Sequence, residues 1–409
     1  MSFDALKGWS SAQKHVVAAS YLGWTLDAFD FFLLVFVIKD VAGEFGTAVS
    51  SIALAVTLTL ALRPVGAFIF GRLADRFGRR PILMLDVALY SVLGFATAFA
   101  SNLAAFLVIR ALFGVAMGGE WGIGASLTME TVKPEARGLV SGLLQSGYPS
   151  GYLIASVAFA LLYSHIGWRG MFMIGILPAL LILYIRRSVP ESPGWNRERT
   201  SAVTILNVLA RHWQLALYAI LLMTAFNFFS HGTQDLYPTF LQKQHHFAPA
   251  TVGTIAVLYN IGAILGGLSF GAFSQFFGRR RTMMLCALFA LPAIWLWAFS
   301  QTALLLAMGA FLVQFFVQGA WGVVPAHLNE LSPPEARGTF PGTVYQLGNF
   351  IASYNAVLQA KIAENHGNNY GLALAIFGGV MAVVIVVWTA IGPERKNADF
   401  TADAGEVQE

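Results

Sequence analysis

Apolar runs of about 20 residues recur along the whole chain, separated by short polar stretches. That is the length a helix needs to cross a hydrocarbon core about 30 Å thick at about 1.5 Å per residue. The pattern predicts twelve membrane-spanning helices, over residues 15–38, 49–72, 81–101, 103–127, 137–161, 168–186, 214–240, 251–274, 282–300, 303–327, 339–361 and 369–392. The longest polar interruption, Arg187 to Arg211, includes Pro190 and Pro193 and divides the spans six and six. The expected organisation is an all-α membrane protein. An N-terminal six-helix bundle (1–186) is followed by a cytoplasmic linker (187–213) with a short amphipathic helix over 203–211. A C-terminal bundle (214–392) and a cytoplasmic tail (393–409) complete the chain.

Composition makes the membrane reading firm. Of 409 residues, 57% are hydrophobic and only 11% charged, far too few charges to coat a soluble surface of this size. The same figures exclude a disordered chain, and they leave no basic surface for nucleic acid. A single cysteine, Cys286, lies in an apolar run, so neither a disulfide framework nor a thiolate metal cluster is expected. Cation placement orients the spans. With both termini inside, nineteen of the 25 Lys and Arg fall on the cytoplasmic side and four outside, with Arg63 and Arg110 inside spans. The expected location is therefore a plasma (inner) membrane, crossed many times.

The two halves repeat one another at an offset of 200. Gly119-Glu-Trp-Gly122 faces Gly319-Ala-Trp-Gly322, Glu130 faces Glu330, and Pro134-Glu-Ala-Arg-Gly138 returns letter for letter at 334–338. Gly71 through Arg80 faces Gly271 through Arg280. Parallel repeats of this kind put a binding cavity at their interface near the midplane.

The segment Gly71-Arg-Leu-Ala-Asp-Arg-Phe-Gly-Arg-Arg80 resembles the signature loop of the major facilitator superfamily, and Arg110-x3-Gly114-x3-Gly118 is similar to its fourth-helix motif. The resemblance covers the whole chain. It implies two pseudo-symmetric six-helix bundles and alternating access by rocking of the halves. It further implies a cytoplasmic latch built from Asp75, Arg79 and Glu130, with Arg110 part of the coupling machinery. Because Gln275 stands where the first repeat has Asp75, the latch is expected to be asymmetric.

Ionisable groups inside spans are functional candidates, since each costs several kcal/mol unless paired or hydrated. Asp27 and Asp30 share a face of the first helix, where mutual repulsion favours a proton on one of them. Glu120, deep in the fourth helix, is a further proton carrier or an arginine partner. Arg63 lies eight residues before Gly71, about 12 Å above the cytoplasmic end. Its guanidinium suits a carboxylate, from substrate or from Asp27 or Asp30.

The densest polar segment in any span is Asn227-Phe-Phe-Ser230-His231-Gly-Thr233-Gln234-Asp235-Leu-Tyr-Pro238-Thr239. Asn227, Ser230, His231 and Gln234 form one helical stripe, and His231 reaches Asp235 four residues on. Gly232 and Pro238 predict a bent or unwound helix, freeing backbone groups for a ligand. This stretch resembles the seventh-helix signature of the lactate permeases, in the sialate:proton symporter branch of the superfamily. Asp27 and Asp30 are similar to the acidic pattern of related organic-acid symporters, and Gln346-x-x-Asn349 to the permeases' eleventh-helix pair. The resemblance implies proton-coupled uptake of short monocarboxylates such as lactate and pyruvate. Arg63, Asn227, Ser230, His231, Gln234, Gln346 and Asn349 would bind substrate. Asp27, Asp30, Glu120, His231 and Asp235 would couple the proton.

No cofactor or metal is expected beyond the co-transported proton, and the superfamily expectation is a monomer. A larger anion, sialate or an aromatic acid, is the alternative cargo. A substrate-sensing transceptor is disfavoured by the short soluble segments. An enzyme lacks support, since no nucleophile–base motif, HExxH or phosphate-binding loop is present.

Overall fold

The apolar runs fold as helices, and several of them break where Gly or Pro falls. The computed structural model describes residues 9–47, 49–193, 195, 207, 210–367 and 369–398, so the expected linker helix over 203–211 lies mostly outside the described residues. The first four spans are the unbroken helices α1 (Ser11–Glu44), α2 (Val49–Phe77), α3 (Arg79–Thr97) and α4 (Leu103–Thr131). The fifth begins with α5 (Arg137–Gln145) and continues in α6 (Gly147–Ile174). Within α6 the chain turns at Gly167, whose φ of 60° suits glycine, and the sixth span starts there. It finishes with α7 (Ala179–Ser188).

The second half repeats the plan. Its spans are α8 (Trp213–Gln234) with α9 (Tyr237–Lys243), then α10 (Pro249–Phe277) and α11 (Arg279–Phe299). Next come α12 (Ala303–Trp321) with α13 (Val324–Leu331), α14 (Phe340–Ala352) with α15 (Asn355–Asn365), and α16 (Tyr370–Ile391). Ten described helices are long and apolar enough to cross a membrane, and the fifth and eleventh spans are not among them. Both are split, and both face the opposite half, α5 against α10 and α14 against α2. A helix packed between bundles can carry Gly, Ser, Gln and Asn where a lipid-facing helix needs apolar side chains.

The two halves close on each other at the face that carries the repeated Gly-Arg loops, called here the basic face. Gly78 (φ 106°) and Gly278 (φ 99°) make the same turn, and each is followed by a buried arginine. Arg79 bonds Asp75 at 3.1 Å and Glu130 at 3.2 Å. Arg279 holds Glu330 with a bidentate grip at 2.9 and 3.0 Å. Across the seam, Gly71 meets Thr339, Gly122 meets Gly342 and Gly142 meets Gly271, all at backbone distance.

The expected asymmetry of the latch is partial, because one backbone hydrogen bond obeys the two-fold repeat. The Gly338 N–H donates to Asp75 at 2.8 Å, and the Gly138 N–H donates to Gln275 Oε1 at 3.2 Å. An amide oxygen reaches the same backbone donor that a carboxylate does, so the asymmetry lies in the charge and in one added side-chain bond. Thr339 adds a hydroxyl bond to Asp75.

Candidate transport site

Away from the latches, side chains of both halves line a cavity at mid-depth. Trp24, Leu60, Arg63, Gln145 and Tyr148 come from the first half, and Asn227, Ser230, His231, Gln234, Gln318, Trp321, Tyr345 and Asn349 from the second. The cavity is narrow, with room for about one water. An organic solute enters only when the halves part.

The α8 stripe is as read from the sequence. Ser230 Oγ accepts the Gln234 and Gln318 amides, both at 3.1 Å. His231 Nδ1 lies 3.3 Å from Asp235, and Nε2 lies 3.2 Å from Asn349 Oδ1. Both ring nitrogens therefore face oxygens, an arrangement that the doubly protonated ring satisfies with two donated bonds. Asn227 lines the cavity while its amide donates to the Met223 carbonyl at 2.8 Å. The predicted break follows immediately: α8 ends at Gln234, and Gln359 donates to the freed Gly232 carbonyl at 2.7 Å. Hydrogen bonds then run unbroken from Gln346 through Asn349 and His231 to Asp235, whose side chain is 37% exposed toward the face opposite the latches.

Arg63 faces this network from the other half. It is 2% exposed, donates to the Met117 sulfur at 2.7 Å, and lies 5.2 Å from the Phe31 ring centroid. Pairing with Asp27 or Asp30 was the simpler expectation, but Arg63 forms no ion pair among the described residues.

Five sequence-predicted residues lie away from the cavity wall. Asp27, Asp30 and Glu120 do not line the cavity. They are fully buried within the first half, and every one of their carboxyl oxygens lacks a hydrogen-bond partner. Gln346 sits behind Asn349 rather than on the cavity wall. Arg110, expected to be part of the coupling machinery, lies far from the latch. It lies twenty residues before Glu130 on α4, about 30 Å away along the axis. There it packs on the Phe113 ring at 4.0 Å with all three guanidinium nitrogens unpartnered.

The sequence reading also missed residues. Asp86 on α3 joins the buried acids of the first half, with Tyr90 one turn away. A lone acid inside the third apolar run was the available signal. Gln314 and Gln318 on α12 contact α8 directly, and nothing in the pattern distinguished them from packing amides.

The fold matches solved transporters at low identity. It superposes on the proton:xylose symporter XylE with a TM-score of 0.72 at 19% identity, covering 95% of this chain and 97% of that one. On the human organic anion transporter MFSD10 the TM-score is 0.71 at 17% identity, covering 92% and 99%. In sequence the chain is 27% identical to a carboxylic acid transporter protein homolog of Saccharomyces cerevisiae, over 93% of this chain and 68% of that protein. It is 29% identical to a probable 4-methylmuconolactone transporter of Cupriavidus pinatubonensis (97% and 94% covered). To the Escherichia coli sialic acid transporter NanX it is 26% identical (93% and 92% covered). Its sequence matches the family over residues 21–234 and 220–407, so this non-enzymatic, multi-pass membrane transporter belongs to the Major Facilitator Superfamily.

Proposed function

We propose that the protein imports a small monocarboxylate, such as lactate or pyruvate, together with a proton. One observation carries this reading: Arg63 is a buried guanidinium on the wall of the cavity between the halves, with no carboxylate partner among the described residues. A permanent cation in that position is stabilised by an anionic ligand, and its planar fork suits a carboxylate. Across the cavity, His231 and Asp235 offer a proton-accepting pair that ends in the exposed Asp235 side chain. Occupancy by acid and proton together neutralises both sides, so the halves occlude the site at lower desolvation cost than with either alone.

In this reading the basic face is cytoplasmic, both termini lie on that side, and the protein works as a monomer in the plasma (inner) membrane. Asn227, Ser230, Gln234 and Asn349 orient the acid, and Gln346 holds Asn349. Asp27, Asp30 and Glu120 act from inside the first half, as a proton reservoir apart from the substrate. The names of the relatives, which include carboxylic acid and sialic acid transport, support an organic acid as cargo.

Proteoliposome uptake of labelled lactate and pyruvate under an inward proton gradient tests the proposal, with acetate, benzoate, sialate and succinate as competitors. Arg63→Gln is expected to abolish uptake, and Asp235→Asn to abolish its pH-gradient dependence. Undiminished gradient-driven uptake in either variant overturns that residue's assignment. A second reading, an aromatic acid, is favoured by the cavity's aromatic wall, where Trp24 stacks on Tyr148 with centroids 5.5 Å apart. Strong competition by benzoate with none by lactate would select it.

A further inference from the structure

The internal repeat exposes a difference between two equivalent tryptophans. Trp121 and Trp321 occupy the same position at the offset of 200, each before a glycine at the end of a Gly-rich stretch. In the first half the Trp121 indole N–H is satisfied, donating to Gln145 Oε1 at 3.2 Å. In the second half the residue equivalent to Gln145 is Tyr345. Its ring packs edge-on against Trp321, with centroids 5.5 Å apart, and offers the indole no acceptor. Among the described residues the Trp321 Nε1 is consequently buried without a partner, on a residue only 2% exposed that lines the cavity.

Two more unpartnered buried atoms lie on cavity-lining side chains, Arg63 Nε and Trp24 Nε1. All three are N–H donors. Each such orphan is destabilising while it stays unmet. A wall whose unmet groups are all donors is complementary to a ligand rich in acceptors. The donors also come from both bundles: Trp24 and Arg63 from α1 and α2, Trp321 from the end of α12.

We infer that Trp321 is a substrate-binding residue whose indole N–H donates to an oxygen of the acid held by Arg63. The ligand's oxygens thereby join the two halves, and the exchange of Gln for Tyr at the second copy of this position leaves the donor free for that task. Trp24 donates to the same ligand from the first half. The inference rests on the anion-site reading above and adds to it a named contact from the opposite bundle.

Counterflow of labelled lactate, pyruvate and benzoate in proteoliposomes tests it, comparing half-saturation in the wild type and in Trp321→Phe. The phenyl ring keeps most of the packing and removes the donor. Half-saturation for the transported acid is expected to rise about tenfold, the cost of one hydrogen bond to a charged acceptor. Tyr345→Gln supplies the internal acceptor found in the first half and is expected to weaken binding similarly. Combined with Trp321→Phe it is expected to add nothing further. If the wild type carries none of the three acids, the anion-site reading and this inference both fall. If it carries one and neither variant changes its half-saturation, this inference alone is overturned. Independent, additive losses in the double variant would also overturn it, because they would mean that Tyr345 does not act through the indole.

Discussion

Replacing Asp75 by asparagine isolates the charge in the latch on the basic face. Asp75 accepts from the Gly338 N–H at 2.8 Å and from the Thr339 hydroxyl, and both bonds cross between the halves. Its ion pair with Arg79 at 3.1 Å lies within the first half and persists when the halves separate. Only the crossing bonds therefore bias the conformational equilibrium. An asparagine keeps a carbonyl acceptor, as Gln275 does toward Gly138 at 3.2 Å, but it lacks the charge. Hydrogen bonds to a charged acceptor are worth about 1.5–3 kcal/mol and neutral ones about 0.5–1.5, so with two crossing bonds affected the closed basic face should lose about 2–3 kcal/mol. That corresponds to a shift of roughly 30- to 150-fold toward opening. Hydrogen exchange of the protein in lipid nanodiscs reads it. Peptides containing Gly338 and Gly138 should both exchange faster by that factor, because one opening exposes both amides. Acceleration confined to Gly338, or none, would refute the claim that these bonds hold the halves together.

The remaining predictions concern the seam and the far face. Gly142→Leu should block closure of the basic face, because even a Cβ there would meet the Gly267 carbonyl carbon at 3.0 Å. Uptake should cease at normal membrane abundance, with a labelling site on that face staying accessible. On the opposite face, Arg169 donates to Glu44 at 2.6 and 3.2 Å and holds this carboxyl below its ordinary value of 4.5. A depressed folded-state pKa gives stability that is present at neutral pH and lost as the pH falls through the folded value. Glu44→Gln should therefore lower thermal stability slightly at pH 7. The pair is half-exposed, so the loss is no more than about 1 kcal/mol, and the two proteins should converge below pH 4.5. A gap that widens on acidification would contradict the assignment. Gly118→Leu should prevent assembly of the first bundle, since a Cβ there would lie 2.9 Å from the Ala67 backbone nitrogen, and size-exclusion of the solubilised protein checks it.

The chain alone determined the number of spans, the division into halves and the polar stripe on α8, because each follows from run length, repetition or helical period. It also pointed to an interruption: Gly232 and Pro238 predict a bent or unwound helix, and α8 ends at Gln234, between them. Which way each helix is turned was decided only in the tertiary structure. Lipid and protein core are both apolar, so a membrane helix carries little contrast between its inner and outer faces. The period groups Asp27 with Asp30 but cannot say whether they face the cavity or the interior of the bundle, and they face the interior. Distance along α4 likewise sets Arg110 about 30 Å from the latch at the other end of the same helix. The unmet Trp321 indole is likewise a tertiary fact, since an orphaned donor exists only once every neighbour that could have satisfied it is in place.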